Sequence, residues 1–368
     1  MTLSLYIARR FLRALILVGA AFYGILFLID MVEQIRRFDT AEVGLPQAAF
    51  LALLNVPGSL YTILPLIVVL AAVVLFLGLA RSSELVVIRA AGRSALRMLV
   101  APVAVAFLFG LLAIAVGNPI VSATSKRFES LSDSYRTGGG QAVSIGAEGV
   151  WMRQGAGDGG DTQAVIRAAR ANLDATQLFD VTFLVFAPGQ GPIRRIWAEE
   201  ARLTPGAWQL SGVKDWVLDR TGNPERAATT SARLELPSDL TADRIRDSFG
   251  TPSAVPIWDL PEFIAGLENA GFSARRHMVW FQMELALPLV LAAMVLIAAG
   301  FTMRHVRFGR TGMMVLFALA AGMGVFFLRS MAQVLGDNGQ IPVALAAWAP
   351  PAIALMLALA LLLHLEEG

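Results

Sequence analysis

Six long apolar stretches, at roughly residues 12–35, 47–80, 98–121, 278–301, 311–334 and 342–364, decide what this chain can fold into. A helix crosses the hydrocarbon layer of a bilayer with about 20 mainly apolar residues, and every stretch reaches that length. The composition fits a membrane protein: 56% hydrophobic and 16% charged, where soluble domains carry about 25% charged residues. The first stretch is led by Met1–Arg13, where Leu3, Tyr6, Ile7 and Phe11 oppose Arg9, Arg10 and Arg13. That pattern predicts an interfacial turn of helix running into a span, not a cleaved signal peptide. Pro57 and Pro65 predict a kink in the long second stretch.

Basic residues in the short loops set the orientation. Arg9, Arg10, Arg13, Arg81, Arg89, Arg93, Arg97, Arg304, Arg307 and Arg310 fall on one side, and only Arg36 and Arg37 on the other. Both termini are therefore expected in the cytoplasm, with the segment 122–275 outside. The predicted layout is residues 1–121 with three spans, 122–275 as an inserted domain, and 276–368 with three more spans.

The inserted segment is different material. It holds 16 basic and 19 acidic residues, and the long apolar runs stop. Short alternating stretches replace them at Gly149–Arg153, Gln163–Ala169, Phe179–Phe186, Ile193–Glu199, Trp208–Leu210 and Val213–Leu218, separated by glycine- and proline-rich turns. Many short strands at this spacing predict an all-β sandwich or barrel-like fold. A short helix, Leu260–Asn269, is expected on the way back to the membrane. Inward-facing residues are expected among Phe179, Phe183, Val185 and Trp197.

Motifs suggestive of catalysis do not survive inspection. Gly155–Gly160 matches a dinucleotide fingerprint only formally, because it lies between two expected antiparallel strands and not within a βαβ unit. Ser211-Gly-Val-Lys214 lacks the K-T-G element its chemistry needs. Neither Lys126 nor Lys214 follows a glycine, which excludes a P-loop. With no cysteine and only His277, His305 and His364, no metal site, cofactor or catalytic residue is assigned. Energy for any driven work has to come from another subunit.

Charges at the edges of the spans carry more information. Asp30, Glu33, Arg36 and Arg37 share the outer end of the first span at helical spacing. One reading is a self-neutralising helix end whose arginines snorkel to the headgroups. The other is a phosphate site, because a guanidinium contacts phosphate oxygens in pairs. Lys126, Arg127 and Arg329 are expected to complete a basic ring at that surface. Glu284 is expected to be buried between helices. In the cytoplasmic loop, Ser82 reads as an N-cap and Gly92 as the stop of a short helix over 82–92. Glu84 in its first turn either complements the helix dipole or belongs to a transverse helix docked on a cytoplasmic partner.

The run Phe27-Leu-Ile-Asp30-Met-Val-Glu33-Gln-Ile-Arg-Arg37 and the run Ser83-Glu84-Leu-Val-Val-Ile-Arg89-Ala-Ala-Gly92 resemble the lipopolysaccharide export permeases of the LptF/LptG family. So do Asn118-Pro119, Leu178-Phe-Asp-Val-Thr-Phe, Trp208-Gln-Leu-Ser-Gly-Val and Glu284-Leu-Ala-Leu-Pro288-Leu. The resemblance covers nearly the whole chain. It implies an LptF–LptG permease pair, driven by two copies of the ATPase LptB and joined by the membrane-anchored LptC. The inserted domain is then a periplasmic β-jellyroll. Lipopolysaccharide is drawn from the periplasmic leaflet of the inner membrane towards a periplasmic bridge. Glu84 matches the coupling-helix acid that meets the ATPase, with Leu85, Ile88 and Arg89 beside it. Arg36 and Arg37 match positions that contact lipid A phosphates, Glu33 a family acidic position, and Lys126 lies near a basic one. Some relatives carry lysine about where this chain has Asp30, which argues against Asp30 as a phosphate ligand.

Two other readings compete with a permease. The first is a non-transporting inner-membrane anchor that presents a ligand-binding β domain. The second is a membrane-embedded hydrolase, disfavoured by the lack of any nucleophile–base set.

Overall fold

The computed structural model describes residues 2–37, 44–90, 94–137, 143–146, 149–155, 163–171, 176–187, 191–218, 223–226, 228–238, 252–269, 273–303 and 311–367. They form two compact units. One comprises Met1–Arg136, Ser253–Ile257 and Arg275–Gly368, and the other Thr137–Pro252 and Trp258–Ala274.

The first unit is helical. Helix α1 (Thr2–Arg37) runs unbroken for 36 residues, so the expected interfacial turn and the first span are one rod. Helices α2 (Leu45–Thr62) and α3 (Leu64–Arg81) meet at Ile63, two residues before Pro65, where the kink was expected. Helix α4 (Glu84–Ala90) is the short helix expected in the loop after the second span, and its expected stop Gly92 lies outside the described residues. Helix α5 (Ala95–Leu112) passes through a π-helical turn at Ala113–Gly117 into α6 (Asn118–Thr137). Ser82 ends α3 and is not the N-cap expected for α4, whereas Ser94 caps α5, its side chain accepting the Arg97 N–H. Helices α8 (Arg275–Leu285) and α9 (Leu287–Thr302) are bent by 49° at Ala286. Helices α10 (Thr311–Asp337) and α11 (Val343–Glu367) close the unit. Among the described residues, five helices are long and apolar enough to cross a membrane, and the bent α8–α9 pair makes a sixth. Helix α9 is the centre of the bundle, with nearly every residue from Leu287 to Thr302 buried. By contrast, α1 leaves Ile16, Leu17, Ile25, Leu28, Ile29 and Val32 exposed along its length. The loop arginines Arg93, Arg304, Arg307 and Arg310 lie outside the described residues.

The second unit holds one seven-stranded antiparallel sheet in chain order. Its strands are β1 (Val143–Gly146), β2 (Gly149–Gly155), β3 (Gln163–Ala171), β4 (Gln177–Ala187), β5 (Gly191–Thr204), β6 (Ala207–Val217) and β7 (Thr229–Pro237). The inserted all-β domain is thus present, and its described strands follow one another in chain order as a meander. Helix α7 (Leu260–Asn269) packs beside β1. Residues 156–160 of the glycine-rich motif lie outside the described residues, but Gly155 pairs with Gln163 across the antiparallel β2–β3 ladder. Ser211 and Lys214 are mid-strand in β6, and the Lys214 ammonium is paired with Glu225.

The sheet is rolled. Trp208 Nε1 in β6 donates to Gln154 Oε1 in β2 at 3.2 Å, whereas four strand spacings in a flat sheet would separate them by about 19 Å. Inside the roll lie Met152, Ile166, Leu178, Val181, Phe183, Ile196, Ala198, Leu210 and Val213, all buried, with Phe183 edge-on to Trp208.

A crease crosses five strands at Ala169, Asp180, Glu199, Gly212 and Ala232. Pairing lapses at each of these positions and resumes in the same register beyond. Each of β4, β5 and β6 shows two consecutive residues off the buried face there: Phe179–Asp180, Glu199–Glu200 and Ser211–Gly212. Asp180 and Gly212 take positive φ of 52° and 64°. A side chain on Gly212 would also meet Glu199 Cδ at 2.7 Å. The crease corrects the expected inward set. Phe183 and Val185 share the inner face, but Phe179 lies outside under the Arg170 guanidinium, and Trp197 lies outside donating to Asp180 at 2.7 Å.

Candidate functional site

The functional candidates all belong to the helical unit. At the end of α1, Ile35 packs with Ala48 and Leu51 of α2 and with Phe128, Leu131 and Tyr135 of α6. This small apolar cluster brings the neighbouring Arg36 and Arg37 to the same end of the unit as Lys126 and Arg127. All four cations are exposed, and none of the described ion pairs involves them. Glu33 is exposed one turn earlier. Asp30 turns inward instead and accepts a 2.8 Å hydrogen bond from Asn55 Nδ2, tying α1 to α2. Arg329 is corrected. It is not exposed like the four cations of the rim but half-buried in α10, with Glu284 as its nearby counter-charge.

The short helix α4 also differs from expectation. Leu85 and Ile88, three apart and therefore on one face, are buried within the chain, since that face packs on α3. Val87 points outward, and Arg89 is part of the helix. Glu84 already has cationic and hydroxyl partners in this chain. Arg10 donates to its Oε1 at 2.7 Å, Ser82 to the same oxygen at 2.6 Å, and Tyr6 to Oε2 at 3.1 Å. Burial alone would push the Glu84 carboxyl up, but these three donors outweigh it and hold it below the usual carboxylate range. Beside the cluster is a groove of about 640 Å³ lined by Leu5, Tyr6, Arg9, Arg10, Arg13 and Glu84.

Deeper in the bundle, Glu284 is buried as expected. Its Oε2 accepts the Tyr61 hydroxyl and, at 3.3 Å, Asn118 Nδ2. Asn118 Oδ1 in turn accepts the Ile257 N–H at 2.9 Å. Among the described residues, no group of three or more acidic, histidine or cysteine side chains is placed to hold a metal.

The sequence matches the model of the lipopolysaccharide export system permease LptF/LptG across residues 5–364. The chain belongs to this family. Among curated LptF/LptG proteins it is similar to the lipopolysaccharide export system permease protein LptG of Haemophilus influenzae, 24% identical over 92% of this chain and 91% of that protein. The Escherichia coli K12 protein of the same name is 24% identical over 90% of this chain and 87% of its own length. As a member of the LptF/LptG family, the chain is a permease of the lipopolysaccharide export system, and its apolar helices are those of a membrane protein. Sequence reasoning missed four residues in this permease: Tyr6 and Arg10 beside Glu84, and Tyr61 and Asn118 beside Glu284. A tyrosine and an arginine four apart on one helix face were a weak signal for the first pair, because Arg9 and Arg13 stand beside them with nothing in the sequence to single out Arg10.

Proposed function

We propose that this permease is the LptG half of an LptF–LptG pair that extracts lipopolysaccharide from the periplasmic leaflet of the inner membrane. The carrying observation is α1. It presents exposed apolar side chains along its length and ends in exposed Arg36 and Arg37. An amphiphile with acyl chains and a phosphorylated head needs such a wall and such a rim, because guanidinium groups bind phosphate in pairs. Lys126 and Arg127 extend the rim, and Glu33 tempers its charge.

Both termini lie in the cytoplasm in this reading, supported by the arginine count of the loops. The inserted β domain is then periplasmic and hands lipid to a bridge towards the outer membrane. An LptB dimer supplies the energy, and LptC completes the complex. Coupling runs through α4, where Glu84, Arg89 and the exposed Val87 meet the ATPase. The LptG assignment is supported by the two curated relatives of that name.

The test is reconstitution of the purified complex in proteoliposomes loaded with lipopolysaccharide. ATP-driven release of lipid, with an ATPase co-purifying, is the expected result. A chain that purifies without an ATPase and binds a ligand only through its β domain would be an anchor.

A further inference from the structure

Three spans lose their helical regularity at the same place, and one carboxylate joins them. The α2–α3 break at Ile63 precedes Pro65 by two residues. The α8–α9 bend at Ala286 precedes Pro288 by two. The π-helical turn ends at Gly117, two before Pro119. Each proline removes the N–H that would reach the residue four positions back and so weakens the helix there. Tyr61 and Glu284 are those residues for Pro65 and Pro288, and they are joined by a hydrogen bond between their side chains. Asn118, next to Pro119, donates to the same Glu284 oxygen. Arg329 of α10 adds a charge that Glu284 attracts. The backbones also touch here: a Cβ on Gly110 of α5 would meet Pro288 Cα at 2.6 Å.

We propose that Glu284 is a positioning residue that clasps these three proline hinges, so that α2–α3, α5–α6 and α8–α9 bend as a set when the permease closes on its cargo. The inference rests on the lipid-extracting permease reading. A polar group between apolar helices otherwise carries a desolvation cost without a return. Here one carboxylate accepts from two hinges and lies on the third, so no hinge can straighten without breaking its bond to the others. Two discrete arrangements of a packed element are what coupling between distant sites requires.

The test uses the full complex in proteoliposomes. The chain has no cysteine, so once any partner cysteines are replaced, Phe50→Cys and Val74→Cys, at exposed positions on either side of the Ile63 break, are the spin-labelled sites. With the native Glu284, the label distance should shift between the nucleotide-free and ATP-trapped states. Glu284→Ala should abolish that shift although the substitution is on another span. It should leave ATP hydrolysis within about twofold while lipid release falls about tenfold. Glu284→Gln, which still accepts from Tyr61 and Asn118, should restore most of both. If Glu284→Ala fails to accumulate, Tyr61→Phe removes one bond and should give a smaller loss of the same kind. An unchanged label shift, or unchanged release, in the Ala or Phe variant would overturn the clasp. Absence of ATP-driven release with the native chain would overturn the permease reading instead.

Discussion

Arg10 and Glu84, 74 positions apart in the chain, meet at 2.7 Å and join the first turns of α1 to the first turn of α4. Their side chains are 31% and 32% exposed, so the bond is partly wetted, and the ion pair itself contributes no more than about 1 kcal/mol. Its consequence is mechanical. The other end of α1 carries Arg36 and Arg37, so in the proposed permease a push on α4 would be passed to them along one unbroken helix of 36 residues.

Arg10→Ala and Glu84→Ala should therefore leave the protein inserted and folded, lowering its melting temperature by only a few degrees at most. Both should reduce ATP-driven lipid release. The charge exchange Arg10→Glu with Glu84→Arg should recover part of that release, as a double-mutant cycle reads it. If Glu84→Ala weakens ATPase co-purification and Arg10→Ala does not, Glu84 serves the partner, and Arg10 serves only to aim it.

The same contact sets a pH dependence. The Glu84 carboxyl is held below its usual range in the folded state. Its stabilising contribution is therefore complete above the usual carboxylate pKa and is lost as pH falls through the lowered value. The hydrogen-exchange protection factor of the α4 amides, which removes the intrinsic slowing of exchange by acid, should be high at neutral pH and fall on acidification. That fall should vanish in Glu84→Gln.

Helix contact at the α8–α9 bend predicts a steric asymmetry between two glycines. Gly110→Ala places a methyl group 2.6 Å from backbone and should destabilise by about 1–3 kcal/mol, as overpacking does. Gly324→Ala in α10 meets nothing within 4 Å and should be neutral or slightly stabilising through helix propensity. Thermal unfolding of the two variants in detergent checks this directly.

The rolled sheet predicts which side of the β domain meets lipid if acyl chains travel along its interior. Photo-crosslinkers at Val185, inside and half-buried, should capture lipopolysaccharide when ATP is present. Crosslinkers at Phe179 and Trp197, on the outer face, should not. Capture at Trp197 alone would reverse the assignment of the path.

Removing both rim arginines, Arg36→Ala with Arg37→Ala, should weaken lipid A crosslinking at the end of α1 without disturbing assembly. Each phosphate contact is worth about 1.5–3 kcal/mol if dry. Because both residues are exposed in the isolated chain, the low end of that range is expected, and the loss should ease at high salt.

The spans, the break before Pro65 and the helix Leu260–Asn269 were legible because each is local: apolar length, a proline, a short amphipathic period. The inserted β domain was legible from alternation, yet β1 and β7 went unread. The first has four residues, and the second exposes almost every side chain, as an edge strand does. Leu85 and Ile88 looked like a partner surface because an apolar run does not say which half faces its own chain. Arg10 and Tyr6 were invisible as partners of Glu84, since no pattern within α1 records a contact made across 74 residues. Trp208–Leu210 and Val213–Leu218 read as separate strands because Gly212 interrupts the alternation, and only the ladder shows that β6 continues through it.

The crease has a consequence for how this domain tolerates change. Ladder register survives because neighbouring strands each supply one extra residue at the same level. Deleting Gly212 alone would turn the rest of β6 inside out against neighbours that kept their own extra residue. Single-residue insertions and deletions along that line are therefore forbidden one strand at a time. The roll can lose or move its corner only by a concerted edit of several strands, which makes the line from Ala169 to Ala232 the part of the domain least open to gradual remodelling.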